Sequence, residues 1–162
     1  MLDTYLTQLR SYYALDLGQT LFYFSVLAIN YVITLPLALE RTWRSPGQLG
    51  FRTISLVSLS CCAFVLMALA VFTDENAQSK FFYGVLTGIG FIGGGALFRS
   101  DKGVYGTASA ASVWAAAGVG IASGLGCIEI ALVLSILVTV TLHFFAIADK
   151  DSDTVNADTE HQ

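Results

Sequence analysis

Residues 104–148 form an almost continuously apolar run in which Glu129 and His143 are the conspicuous interruptions. A bilayer's hydrocarbon layer is about 30 Å thick and takes about 20 helical residues, so this run is too long for one crossing. Similar runs occupy 18–39, 53–72 and 81–98. None alternates polar and apolar residues, as a half-buried strand would. In lipid a segment must satisfy its own backbone hydrogen bonds, which leaves helices or closed barrels, and runs of this length read as helices. The chain is 55% hydrophobic and 12% charged, with too little polar surface for a soluble domain. The expected fold is all-α: a one-domain polytopic helical membrane protein.

Gly124-Leu125-Gly126 is the natural turn within the long run and divides it into spans at 107–123 and 128–148. That makes about five transmembrane helices over 18–148. Asn30, Thr34 and Pro36 are unusual inside the first span; Pro36 removes a backbone donor and is expected to kink the helix near its end. Residues 1–17 place Leu2, Tyr5, Leu6, Leu9, Tyr12 and Tyr13 at helical spacing, which reads as an interfacial amphipathic helix. No cleavable signal is evident there. Residues 149–162 are acidic and poor in apolar side chains, so an unstructured tail is expected. Arg41, Arg44 and Arg52 cluster in one loop and Arg99 and Lys102 in another, whereas the loops between them hold Lys80. The positive-inside rule then puts the N-terminus outside and the C-terminus in the cytoplasm. One long final helix would instead put the tail outside.

The third span is apolar yet carries Gly84, Gly88, Gly90, Gly93, Gly94 and Gly95. Each glycine costs a helix interior roughly 1 kcal/mol relative to alanine, so the pattern calls for close packing or a bend. Two readings follow. In the first, these glycines pack against Ala108, Ala111, Ser112, Ala115 and Ala116 of the fourth span. In the second, Gly93-Gly94-Gly95 unwinds and offers backbone groups to a ligand, with hydroxyls from Thr87, Ser109 and Ser112. Residues 88–93 also match GxGxxG, but no acidic residue stands about 20 positions on, where a dinucleotide site needs one; position 110 is Ala110.

Glu40 and Arg41 continue the first span directly, and Arg52 follows a short Pro-Gly loop. A Glu–Arg pair there would close one end of a cavity; anchoring of the helix ends is the plainer reading. Glu129 and His143 are expected at the interfaces. No nucleophile–base–acid set can be assembled, so an enzyme is not expected. Acidic residues are too sparse within the spans for a magnesium cage, and neither a metal nor a cofactor is expected. Cys61, Cys62 and Cys127 read as small apolar residues. The net charge of -4 and the acidic tail argue against nucleic-acid binding.

Four blocks carry a family resemblance: residues 39–41, 50–53, 87–96 and 106–114, the last ending on Trp114. In order and spacing they resemble the MgtC/SapB family of bacterial inner-membrane proteins. The resemblance implies an inner-membrane location, a link to growth at low magnesium and, for some members, binding to other membrane proteins. Trp114, which ends the last block, and Arg99, the charge that closes the third span, complete the candidate residues. Longer members add a cytoplasmic C-terminal domain, and the short acidic tail here implies the form without it. The chain departs from the family's pattern at Ala108, where members often carry Asn or Thr, and at Ala115, where virulence-type members carry Cys.

Two functions fit. One is a regulator acting through helix–helix contact in the lipid bilayer, with a second copy or another inner-membrane protein as partner. The other is an oligomeric transporter or channel subunit lined by the glycine segment, Glu40 and Arg52. A regular helix at Gly93-Gly94-Gly95, with its small face filled and no polar cavity, favours the first.

Overall fold

The computed structural model describes residues 16–44, 50–100 and 103–159. Five helices make up the described fold: α1 (Leu17–Arg44), α2 (Phe51–Val71), α3 (Glu75–Gly95), α4 (Thr107–Gly124) and α5 (Ile128–Thr159). Two strands, β1 (Phe98–Ser100) and β2 (Gly103–Tyr105), add an antiparallel hairpin between α3 and α4, with Arg99 opposite Val104. The helical expectation holds, with this hairpin as its addition. α1 and α2 include stretches long and apolar enough to cross a membrane. The interfacial segment read at the N-terminus lies outside the described residues, apart from its last two positions. The acidic stretch is helical through Thr159 rather than unstructured, because adding turns to a formed helix costs far less than starting one.

α4 is the centre of the bundle, and all four other helices pack on it. Its sequence explains why: Ala, Gly and Ser dominate it, so neighbours can approach its backbone closely. The tightest seam is with α2. A Cβ on Gly120 would sit on the backbone oxygen of Ser58, and one on Gly124 would meet Val65 at 2.7 Å. The expected partner of α4 was the glycine face of α3. That contact exists but is looser, because the aromatic side chain of Trp114 fills it.

The ends of the helices follow local chemistry. α3 begins at Glu75, earlier than its apolar run, because Asp74 caps it by accepting from Ala77 N at 3.0 Å. It ends at Gly95 through the tightened bonds Ala96 N to Gly93 O and Leu97 N to Gly94 O. α4 stops where expected. Gly126 has φ +79, Gly126 N donates to Ser123 O and Cys127 N to Ala122 O, and the αL glycine completes a Schellman cap. Gly106, at φ +84, starts α4 with its backbone against the Ala96 carbonyl.

The distribution of side chains is inside-out for a protein in water. Phe24, Val32, Met67, Phe91, Leu137 and Phe144 are exposed, whereas Asn30, Thr34, Ser58, Ser112 and Arg41 are buried. Water penalises such a surface and a hydrocarbon layer does not.

Candidate functional site

Buried polar groups run along one face of α1. Asn30, Thr34, Leu37 and Arg41 recur at three- and four-residue spacing and are all buried. At the middle of the bundle, Thr34 Oγ1 lies 2.8 Å from Ser58 Oγ, and Ser58 Oγ donates to Asn30 Oδ1 at 3.1 Å. Beside them, Ser135 Oγ of α5 donates to Ile33 O at 2.6 Å. This tie sits one turn before Pro36, which has no N–H to give to the Val32 carbonyl. α1 continues past Pro36 to Arg44 as a helix.

The charged end of this face is the strongest candidate site. Glu40 and Arg41 are 7% and 5% exposed. Glu40 Oε2 stands 3.3 Å from His143 Nδ1 on α5. Arg41 Nη2 donates to Ser109 Oγ on α4 at 2.7 Å, and its Nε has no hydrogen-bond partner among the described residues. Just beyond, Phe51 N donates to Thr42 Oγ1 at 2.7 Å, which ties the start of α2 to the end of α1. Two helices, α4 and α5, therefore converge on adjacent charges of α1, and α2 is tied one residue further on. The Glu40 carboxylate, next along the helix, supplies a countercharge that offsets part of the cost of burying the Arg41 guanidinium.

The expected pairing of Glu40 with Arg52 is not the one formed. Arg52 is exposed. Its position on α2 is about 120° around from Ser58, which faces the interior, so a short loop alone does not bring it to Glu40. His143, expected at an interface, supplies the contact instead while remaining half exposed. Ser109 joins the site, whereas Ser112 donates back to Ala108 O at 2.6 Å and Thr87, exposed, to Tyr83 O at 2.8 Å. Arg99 lies on β1. Sequence reasoning noted Asn30 and Thr34 as unusual but not Ser58 or Ser135. The i, i+4 spacing of Asn30 and Thr34 was the signal that an interior polar face existed.

The glycine stretch is helical through Gly95, so Gly93-Gly94-Gly95 is the last turn of α3 and not an unwound segment. A Cβ on Gly93 would meet the Trp114 indole at 3.3 Å, and one on Gly90 would meet it at 3.8 Å. Trp114, 49% exposed, therefore lies across α3 and fills that side. Positions Gly84, Gly88, Gly94 and Gly95 have nothing within 4 Å. Trp114 therefore meets α3 at Gly90 and Gly93 and not at its other glycines. Among the described residues, no group of His, Cys, Asp and Glu is placed to hold a metal ion.

The model of the MgtC family matches residues 27–150. The protein MgtC of Salmonella typhimurium is 33% identical over 99 residues, covering 61% of this chain and 42% of that protein. The protein MgtC of Brucella abortus is 33% identical over 89 residues, covering 55% of this chain and 37% of that protein. An uncharacterized protein of Synechocystis sp. is 31% identical over 114 residues, covering 70% of this chain and 48% of its own length. The aligned part of this chain thus spans less than half of these relatives. No solved structure matches.

Proposed function

The chain belongs to the MgtC family, and from that premise we propose that it is a multi-pass protein of the bacterial inner membrane. In this reading it has five spans, its C-terminus is cytoplasmic, and it regulates another membrane protein or its own assembly by helix–helix contact. The family resemblance ties that regulation to magnesium homeostasis or stress adaptation. The observation that carries the proposal is the one-sided packing of α3. Its Gly90–Gly93 side is covered by Trp114, while Tyr83, Thr87, Phe91 and Gly94 are exposed. Phe91 is 86% exposed, and a small residue beside a large aromatic gives a partner helix a notch and a knob. The test is capture from native membranes in mild detergent, after growth in high and low magnesium. Wild type retains a second copy or a specific membrane partner, and Gly94→Trp or Phe91→Arg loses it. A wild-type chain recovered alone under both conditions counts against the proposal.

A second reading, an oligomeric transporter or channel subunit, draws on the buried row from Asn30 to Arg41. Flux in proteoliposomes that disappears in Glu40→Ala would favour it over the regulator.

A further inference from the structure

Between α2 and α3 runs a lateral groove of about 490 Å³, lined by Phe64 on one side and by Phe81, Gly84, Gly88 and Ile92 on the other, with Lys80 at its end. It lies around the helix from the Tyr83–Phe91 face. Its depth comes from missing side chains, since a Cβ at Gly84 or Gly88 would meet nothing within 4 Å. One end is closed by rings, Phe64 to Phe81 at 6.4 Å and Phe72 to Phe81 at 5.6 Å.

We propose that this groove is a phospholipid site, holding one acyl chain along Gly84 and Gly88 with the lipid phosphate at the Lys80 ammonium. The inference rests on the membrane reading but not on the regulatory role. From Lys80 to Ile92 the groove extends about 18 Å along the helix, against about 15 Å for half a hydrocarbon layer. Lys80 directly precedes the apolar part of α3, which sets its ammonium at headgroup depth. Asp74 and Glu75 open the same helix and supply the negative charge that a headgroup amine needs. The charge pattern therefore fits a zwitterionic lipid, phosphatidylethanolamine. A helix about 10 Å across would fill about 1,400 Å³ over that length of about 18 Å, well above the groove's volume of about 490 Å³, so the groove takes a single methylene chain rather than a helix. A second copy in the same membrane, related by a twofold axis along the normal, would also set Lys80 against Lys80 at equal depth.

The test uses the full chain purified in mild detergent, with phosphatidylethanolamine counted by native mass spectrometry. Membrane extraction first establishes that the chain is integral, which separates failure of the membrane reading from failure of the site. Wild type is expected to keep one phosphatidylethanolamine per chain after bulk lipid is stripped. Gly84→Leu with Gly88→Leu lowers retention at least tenfold, Lys80→Glu lowers it severalfold, and Lys80→Arg restores it. Should the leucine pair fail to fold, the alanine pair reads the same loss in smaller measure. Equal retention by wild type and the filled variants overturns the proposal. So does a disulfide between chains carrying Gly88→Cys and no native cysteines, which assigns the groove to a second copy.

Discussion

Glu40 and His143 lie 103 positions apart and meet at 3.3 Å, joining the end of α1 to the middle of α5. Arg41 is buried one position along the helix, so the Glu40 charge acts on that guanidinium as well as on the imidazole. Removing it leaves the buried guanidinium less compensated, a loss whose upper bound is the roughly 3–5 kcal/mol of a broken buried pair. Removing the half-exposed histidine costs about 0–1 kcal/mol. Glu40→Ala should therefore lower the unfolding temperature in detergent far more than His143→Ala. Glu40→Ala with Arg41→Leu should recover part of the loss. Equal effects of the single variants would show that Arg41 does not depend on Glu40.

The glycines of this chain should divide sharply by position. Gly120→Ala drives a Cβ onto the Ser58 backbone oxygen, and neither helix can yield without opening the seam between α2 and α4. Overpacking of this kind costs roughly 1–3 kcal/mol. Gly94→Ala meets nothing within 4 Å and should stabilise the helix by up to about 1 kcal/mol. Thermal unfolding of both variants in one detergent checks the contrast.

That division shows where the sequence was legible and where it was not. Apolar run length placed all five helices, and Gly124-Leu125-Gly126 marked the turn because an αL glycine ends a helix by local rules. The early start of α3 was also legible, in Asp74 three residues before Ala77, but the apolar run drew the boundary later. Which glycines face a neighbour depends on helix rotation, and nothing local distinguishes Gly120 from Gly94. Arg52 failed for the same reason: closeness along a loop says little about side-chain direction. His143 reached Glu40 through the packing of α1 on α5, which no spacing within either helix encodes.

The indole of Trp114 should report on Gly93. A leucine there has no room beside Trp114 Cδ1, which stands 3.3 Å from the position of the first added carbon. The ring must swing away from α3. In a Trp43→Phe background, which leaves Trp114 as the only tryptophan of the chain's two, Gly93→Leu should shift the emission maximum. Gly84→Leu, remote from the ring, should not. An unchanged spectrum in Gly93→Leu would show that Trp114 does not lie across α3.

Two glycines share a left-handed backbone but not a neighbourhood, and this separates strain from crowding. Gly126 has φ +79 and open space around it, whereas Gly106 has φ +84 and the Ala96 carbonyl within contact of any Cβ. Holding an L-residue in the left-handed region costs roughly 1–2 kcal/mol. Gly126→Ala should cost that alone. Gly106→Ala adds a collision with backbone that joins the end of α3 to the start of α4, so it should cost more and loosen the hairpin between them. Unfolding temperature ranks the two variants. Limited proteolysis near residues 98–106 should accelerate in Gly106→Ala and stay at the wild-type rate in Gly126→Ala. A larger loss in Gly126→Ala would mean that the Schellman cap, not the junction of α3 with α4, is the more demanding turn.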